Sequence, residues 1–263
     1  MIAATHYRSL LTSNEQDVYK TIVNQFLQHN GTFSIPNTNL TRASIQKIIH
    51  AINYDHPEIF WINLWQYRIA KLPLGYGFQF EMLLDRRASK SVSQALARRC
   101  NSLRPKMEKS TSCQQKFMQI ARDIVVTTSY LDSGSAFWDH TVACILSHTT
   151  VCEGVSKLFL FLCQRYNLPC AMIGGTVNGE RHAWNMVELD GKKMFVDVTS
   201  VIDSPARYFM NLQFFRTGEY MRRHGYRWNK AYEGETRCEY QNTARSAGAR
   251  HGVTSVITVP ATQ

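Results

Sequence analysis

Cys152, His182 and Asp197 stand in an order that can build a thiol nucleophile. Cys152 opens an apolar, helix-like run behind Thr149-Thr150-Val151. His182 starts the strand-like stretch His182-Ala183-Trp184-Asn185-Met186-Val187, and Asp197 sits in a second, Met194-Phe195-Val196-Asp197-Val198-Thr199. A thiol becomes a good nucleophile when its thiolate is stabilised, and a helix N-terminus and a nearby imidazolium both do this. A carboxylate can hold the imidazole in one tautomer and orientation. The chemistry within reach of such a trio is acyl transfer through a thioester. The thiolate attacks a carboxamide or peptide carbonyl, and the imidazole protonates the departing ammonia or amine. An amine then gives a crosslink, and water gives deamidation or cleavage. The backbone N–H of Cys152 is the natural oxyanion donor. Trp138 and His140 are candidates for a second donor, and Gly154 is expected to leave open backbone beside the thiol where a substrate chain passes. Trp184 is a candidate neighbour of the site, chiefly as a packing residue. No metal and no organic cofactor is needed for this chemistry.

Two elements must position these residues. After Cys152, the residues Val155, Leu158, Phe159, Leu162 and Tyr166 recur at three- and four-residue steps, which predicts a buried helix. Thr149 or Thr150 is expected to cap it, and Glu153 suits the positive end of its dipole. Asn167-Leu168-Pro169 is the expected stop. Asp190-Gly191 is a two-residue hairpin signal between strand-like runs. Such a turn pairs Leu189 with Lys192, and counting back sets His182 opposite Thr199 and Trp184 opposite Asp197. His182 and Asp197 then share a face as diagonal neighbours, roughly 7–8 Å apart at Cβ. A one-residue change in loop length would turn Asp197 to the wrong face.

These words resemble the bacterial transglutaminase-like family, within the papain-like thiol enzymes. The matching segments are Val-Cys-Glu-Gly at 151–154, Leu-Pro-Cys-Ala-Met-Ile-Gly-Gly at 168–175, His-Ala-Trp-Asn at 182–185, Asp-Gly at 190–191 and Val-Asp-Val-Thr at 196–199. The resemblance covers residues 120–212. It implies an α+β fold in which a helix carrying the cysteine packs on an antiparallel sheet, with a mainly helical N-terminal extension. It also implies Cys152 as nucleophile, His182 as general base and acid, and Asp197 as its orienting partner. The chain departs from the family pattern at Ser200, where an aromatic residue often follows Asp-x-Thr. Ser129-Tyr130-Leu131-Asp132 resembles the family's segment before the nucleophile, and Arg207 to Leu212 resembles a segment that returns to the sheet. Asn53 to Trp61 resembles an extension of some bacterial members.

Plainer readings exist beside these. His148 is a competing base, although it lacks an acidic partner nearby in sequence. Asp55-His56-Pro57-Glu58 reads as a charged turn that ends a helix. No Cys-x-x-Cys occurs, so a zinc site is not expected. The expected organisation is a mainly helical region over 1–110, a catalytic core over 111–242 and a flexible tail over 243–263. Helices are expected over Asn14–His29, Thr41–Ile52, Ser89–Leu103 and Cys113–Thr127, with a turn or strand at Leu74–Phe78. A net charge of +10 admits an acidic protein or peptide partner, and no nucleic-acid signature accompanies it. The first sixteen residues lack the apolar core of a signal peptide, and no stretch is long enough to span a membrane. Seven cysteines, an odd number, suit a reducing compartment. Cytoplasmic residence is the expectation, with signal-less export as the alternative. The enzymatic reading competes with a cysteine protease of the same fold and with a non-enzymatic binding module.

Overall fold

The structure, a computed structural model, describes residues 2, 5–36, 39–131, 136–202 and 214–233, with the backbone of 255–256. Helix α1 (Ser13–Leu27) begins where the Thr12 hydroxyl accepts the Glu15 N–H and the Glu15 carboxylate accepts the Thr12 N–H. After β1 (Thr32–Pro36), α2 (Arg42–Asp55) is capped by Thr41. Strands β2 (Ile62–Leu72) and β3 (Gly75–Met82) form a hairpin that pairs with β1. Helix thus predominates before residue 110, as expected, but it shares that region with a sheet. The turn or strand expected at Leu74–Phe78 is the turn of this hairpin and the start of β3, and a register shift between Ile62 and Tyr67 interrupts the alternation of β2.

The long basic α3 (Arg86–Lys109) runs further at both ends than its periodicity suggested, because Asp85 caps it and Met107, buried four residues beyond Leu103, continues its apolar face. Helix α4 (Cys113–Thr127) matches its expected span, with Ser112 as cap. A short parallel pair, β4 (Ser129–Tyr130) and β5 (Thr149–Thr150), then feeds α5 (Cys152–Arg165). The chain turns at Asn167, which adopts a left-handed φ of 54°, while Leu168 N–H reaches back to the Cys163 carbonyl. It continues as β6 (Cys170–Val177), β7 (Glu180–Leu189) and β8 (Lys192–Val196), then α6 (Gly218–Arg223), β9 (Tyr226–Arg227) and β10 (Ser255–Val256). The second four-stranded sheet is antiparallel, in the order β8-β7-β6-β9. The first has the order β1-β3-β2-β10, with β10 parallel to β2. The fold is α+β.

One buried apolar cluster reaches from Tyr7 through α1, α2, β2 and β3 to α4, α5 and Phe214. Ala183 and Val187 of β7 join it, and Asn185 donates to the Ser156 carbonyl of α5 at 3.0 Å. This face of the sheet therefore carries the helix. Trp184, Met186, Ile173 and Phe195 turn to the other face and form a second cluster with Ile2 and Met221. The charged turn after α2 is structural, as read from the sequence. The Asp55 carboxylate accepts the N–H groups of Tyr7 and Arg8 and the Tyr19 hydroxyl, at 2.8–2.9 Å. Burial pushes its carboxyl up to about 6, against the pull of those donors. The segment thus anchored sends the Tyr7 hydroxyl to the Met172 carbonyl on β6 at 2.6 Å. Of the tail expected from residue 243, only the backbone of β10 falls within the described residues, and the segment 207–212 falls outside them.

Candidate active site

The hairpin between β7 and β8 has the expected register. Leu189 pairs with Lys192 and Asn185 with Val196, across Asp190 and Gly191 at φ 50° and 72°. The ladder stops one pair short of Trp184 and Asp197. Asp197 instead leaves the strand and turns into a short 3-10 helix, Thr199–Val201. The Ser200 N–H reaches Asp197 Oδ1 at 3.3 Å, and the Ser200 hydroxyl donates to the Asp197 carbonyl at 2.8 Å. The residue that departs from the family pattern therefore shapes the turn that presents the carboxylate.

His182 sits at the start of β7, paired with Gly175 of β6. Its Nε2 meets Asp197 Oδ2 at 2.9 Å. Cys152 also acts on the same ring and raises its pKa, and Nδ1 is the ring nitrogen that Asp197 leaves unengaged. Of the three residues read from the sequence, His182 and Asp197 are hydrogen-bonded, and Cys152 is felt at the same ring. Burial alone would lower the His182 pKa, but the hydrogen bonds to Asp197 and then Cys152 outweigh it and raise it to about 10. A raised folded-state value stabilises the fold most below the unfolded value near 6.5, and that stabilisation is lost as pH rises through about 10. Urea unfolding of wild type and Asp197→Ala should therefore show a stability gap that is full near pH 6 and shrinks toward pH 10. A gap independent of pH would contradict this electrostatic assignment.

Tyr226 is a site residue that the sequence reading missed. Its hydroxyl donates to Asp197 Oδ2 at 2.7 Å, beside the imidazole. It reaches the site because β9 closes against β6, and Gly175 permits that approach. A Cβ at Gly175 would lie 2.1 Å from the Arg227 carbonyl oxygen. The aromatic run Tyr226-Arg227-Trp228 was the only sequence signal, and it carries no spacing relation to the triad.

Cys152 is the first residue of α5, and two local expectations are corrected there. The N-cap is Val151, with no side-chain cap, because the Thr150 hydroxyl donates instead to the Asp139 carbonyl at 2.7 Å. No side chain therefore caps the first-turn N–H groups at the positive end of the helix. Gly154 does not open a passage for substrate. A Cβ there would lie 2.1 Å from Thr150 Oγ1 and 2.4 Å from the Asp139 carbonyl oxygen, so the glycine admits the preceding chain. Trp184 is fully buried, wedged between Tyr226 and Trp228 with its face toward His182, and it packs behind the imidazole rather than facing solvent.

Upstream, Trp138 is 45% exposed, whereas His140 is held. His140 Nδ1 meets Glu153 Oε2 at 3.1 Å, Glu153 pairs with Lys157 at 2.8 Å, and Lys157 donates to Asn53 Oδ1 on α2 at 2.8 Å. Burial would raise the Glu153 carboxyl, but the Lys157 ammonium and the His140 ring hold it below the usual carboxylate range. His148 is exposed, with Nδ1 on the Thr127 carbonyl at 3.2 Å. Burial pushes the Cys144 thiol up to about 12 and the Cys163 thiol well above its ordinary value. Cys152 is partly accessible and Cys113 is exposed. Among the described residues, no cluster of three or more His, Cys, Asp or Glu is placed to hold a metal ion, and no helix is long and apolar enough to cross a membrane.

No protein family and no curated protein matches the chain in sequence. Solved structures similar to it include a TGase, at 14% identity and a TM-score of 0.41, covering 57% of this chain and 45% of that one. Another is a putative cysteine protease from Cytophaga hutchinsonii, at 15% identity and a TM-score of 0.35, covering 48% and 53%. The chain spans about half the length of these structures.

Proposed function

We propose that the chain is a transglutaminase-like thiol enzyme that transfers or hydrolyses the acyl group of protein or peptide amides through a thioester on Cys152. The observation that supports this reading is the His182–Asp197 hydrogen bond, together with Cys152 at the uncapped start of a buried helix. The Cys152 sulfur attacks the amide carbonyl, and charge builds on the carbonyl oxygen near the free N–H groups of the first helical turn. His182 passes a proton from Nδ1 to the departing ammonia or amine, and the C–N bond breaks. An incoming amine or water then gives its proton to the same nitrogen as it displaces the thiolate. Asp197 holds the ring through Nε2, and Tyr226 holds Asp197. His140, clamped by Glu153 beside the thiol's own helix turn, is the better supported of two proposed second oxyanion donors. Trp138 is the other. Free thiols suit a reducing compartment, with cytoplasmic residence as the corresponding proposal.

Incubation with a glutamine-bearing protein and a labelled amine tests this function. Label should enter the wild-type reaction and be absent with Cys152→Ala. Cleavage fragments in place of label would assign a cysteine protease of the same fold. Neither product, with the protein folded, would favour a binding module.

A further inference from the structure

A groove of about 390 Å³ runs between α3 and the segment that leads to the nucleophile. Arg98, Arg99 and Ser102 line one wall, and Ile145, Leu146 and His148 line the other. Leu146 is 52% exposed, unusual for a large apolar side chain. Val126 is 83% exposed on the neighbouring α4, one residue before the carbonyl that holds the His148 ring. The charge around this apolar strip has one sign. Helix α3 holds Arg86, Arg87, Arg98, Arg99 and Arg104 and no acidic residue before Glu108. The facing α4 supplies Asp123, which is committed to Arg99 at 3.4 Å. Arg98 is exposed and has no ion pair among the described residues. An apolar strip with a charged rim is the composition of a protein-docking surface, and a one-sign rim selects a partner of the opposite sign.

We infer that this groove docks an acidic, extended segment of the protein substrate and delivers it to Cys152. The inference rests on the proposed function. Cys152 lies four residues beyond His148, and chain of that length spans at most about 14 Å. A segment lying against His148 therefore needs only a few more residues to reach the thiol. Nucleic acid fits less well, because no Phe, Tyr or Trp lines the groove to stack a base.

The test is fluorescence anisotropy with a tagged peptide of glutamate, alanine and leucine, and with the same peptide carrying lysine for glutamate. Wild type should bind the acidic peptide and not the basic one. Arg98→Glu and Leu146→Asp should each weaken binding about 10-fold or more. Arg87→Glu makes the same charge change on α3 outside the groove and should alter it less than about 2-fold. An equal loss in Arg87→Glu would overturn the groove in favour of diffuse charge attraction. Unchanged binding in Leu146→Asp, with melting as in wild type, would also overturn it. A single-stranded oligonucleotide binding more tightly than the peptide, through Arg98, would replace the acidic peptide by nucleic acid. Cys152→Ala should bind the peptide as wild type does, so loss of chemistry and loss of docking are read separately.

Discussion

Cys152→Ala is expected to lower amine incorporation by about 10⁴-fold or more in kcat/KM, with little change in thermal melting. Among the described residues, the other thiols are poor substitutes for the sulfur. Cys144 and Cys163 are buried and their ionisation is suppressed by burial, and Cys113 is exposed at the start of α4, an element separate from the imidazole's strand. Reaction with iodoacetamide, followed by peptide mapping, makes the comparison within one molecule. Cys152 should label faster than Cys113 in wild type, and His182→Ala should slow labelling at Cys152 while leaving Cys113 unchanged. Residual turnover above about one per cent in Cys152→Ala would remove the cysteine from the chemistry.

Asp197→Ala is expected to lower turnover by about 10³- to 10⁴-fold. The carboxylate receives both His182 and Tyr226 on one oxygen, so its removal frees the ring to rotate and leaves the tyrosine hydroxyl without its acceptor. Tyr226→Phe keeps the carboxylate and the His182 bond and removes only the second donor. Its expected loss is about 10- to 100-fold, the scale of one hydrogen bond to a charged group. Because Tyr226 acts through Asp197, its loss should also shift the pH profile of kcat, which a purely structural role would leave unmoved. Measuring kcat/KM for both variants beside their melting temperatures separates the two effects. Equal losses would place the tyrosine, rather than the carboxylate, at the centre of the relay.

Much of the site was legible along the chain because its parts are written in local signals. Asp190-Gly191 adopts left-handed φ at both positions, and that turn alone sets the register that brings His182 and Asp197 to one end of the sheet. The capping threonines Thr12 and Thr41 and the serine Ser112 mark helix starts for the same reason, since a side-chain oxygen two or three residues away satisfies a free N–H. The helix that begins at Cys152 was readable from its apolar period.

Its start was not. Thr150 carries the right residue type for a cap, but the Asp139 carbonyl, eleven residues earlier, claims its hydroxyl. Gly154 looked like open backbone and is filled by that same approach of the preceding chain. Tyr226 joins Asp197 across 29 residues, and Lys157 joins Asn53 across 104. The order and type of the reactive side chains, and the turn that aligns them, were therefore decided by the sequence, because dihedral preference and periodicity act over a few residues. Which groups hold, crowd or extend that trio was decided by tertiary packing, because those partners meet only when distant segments share one core.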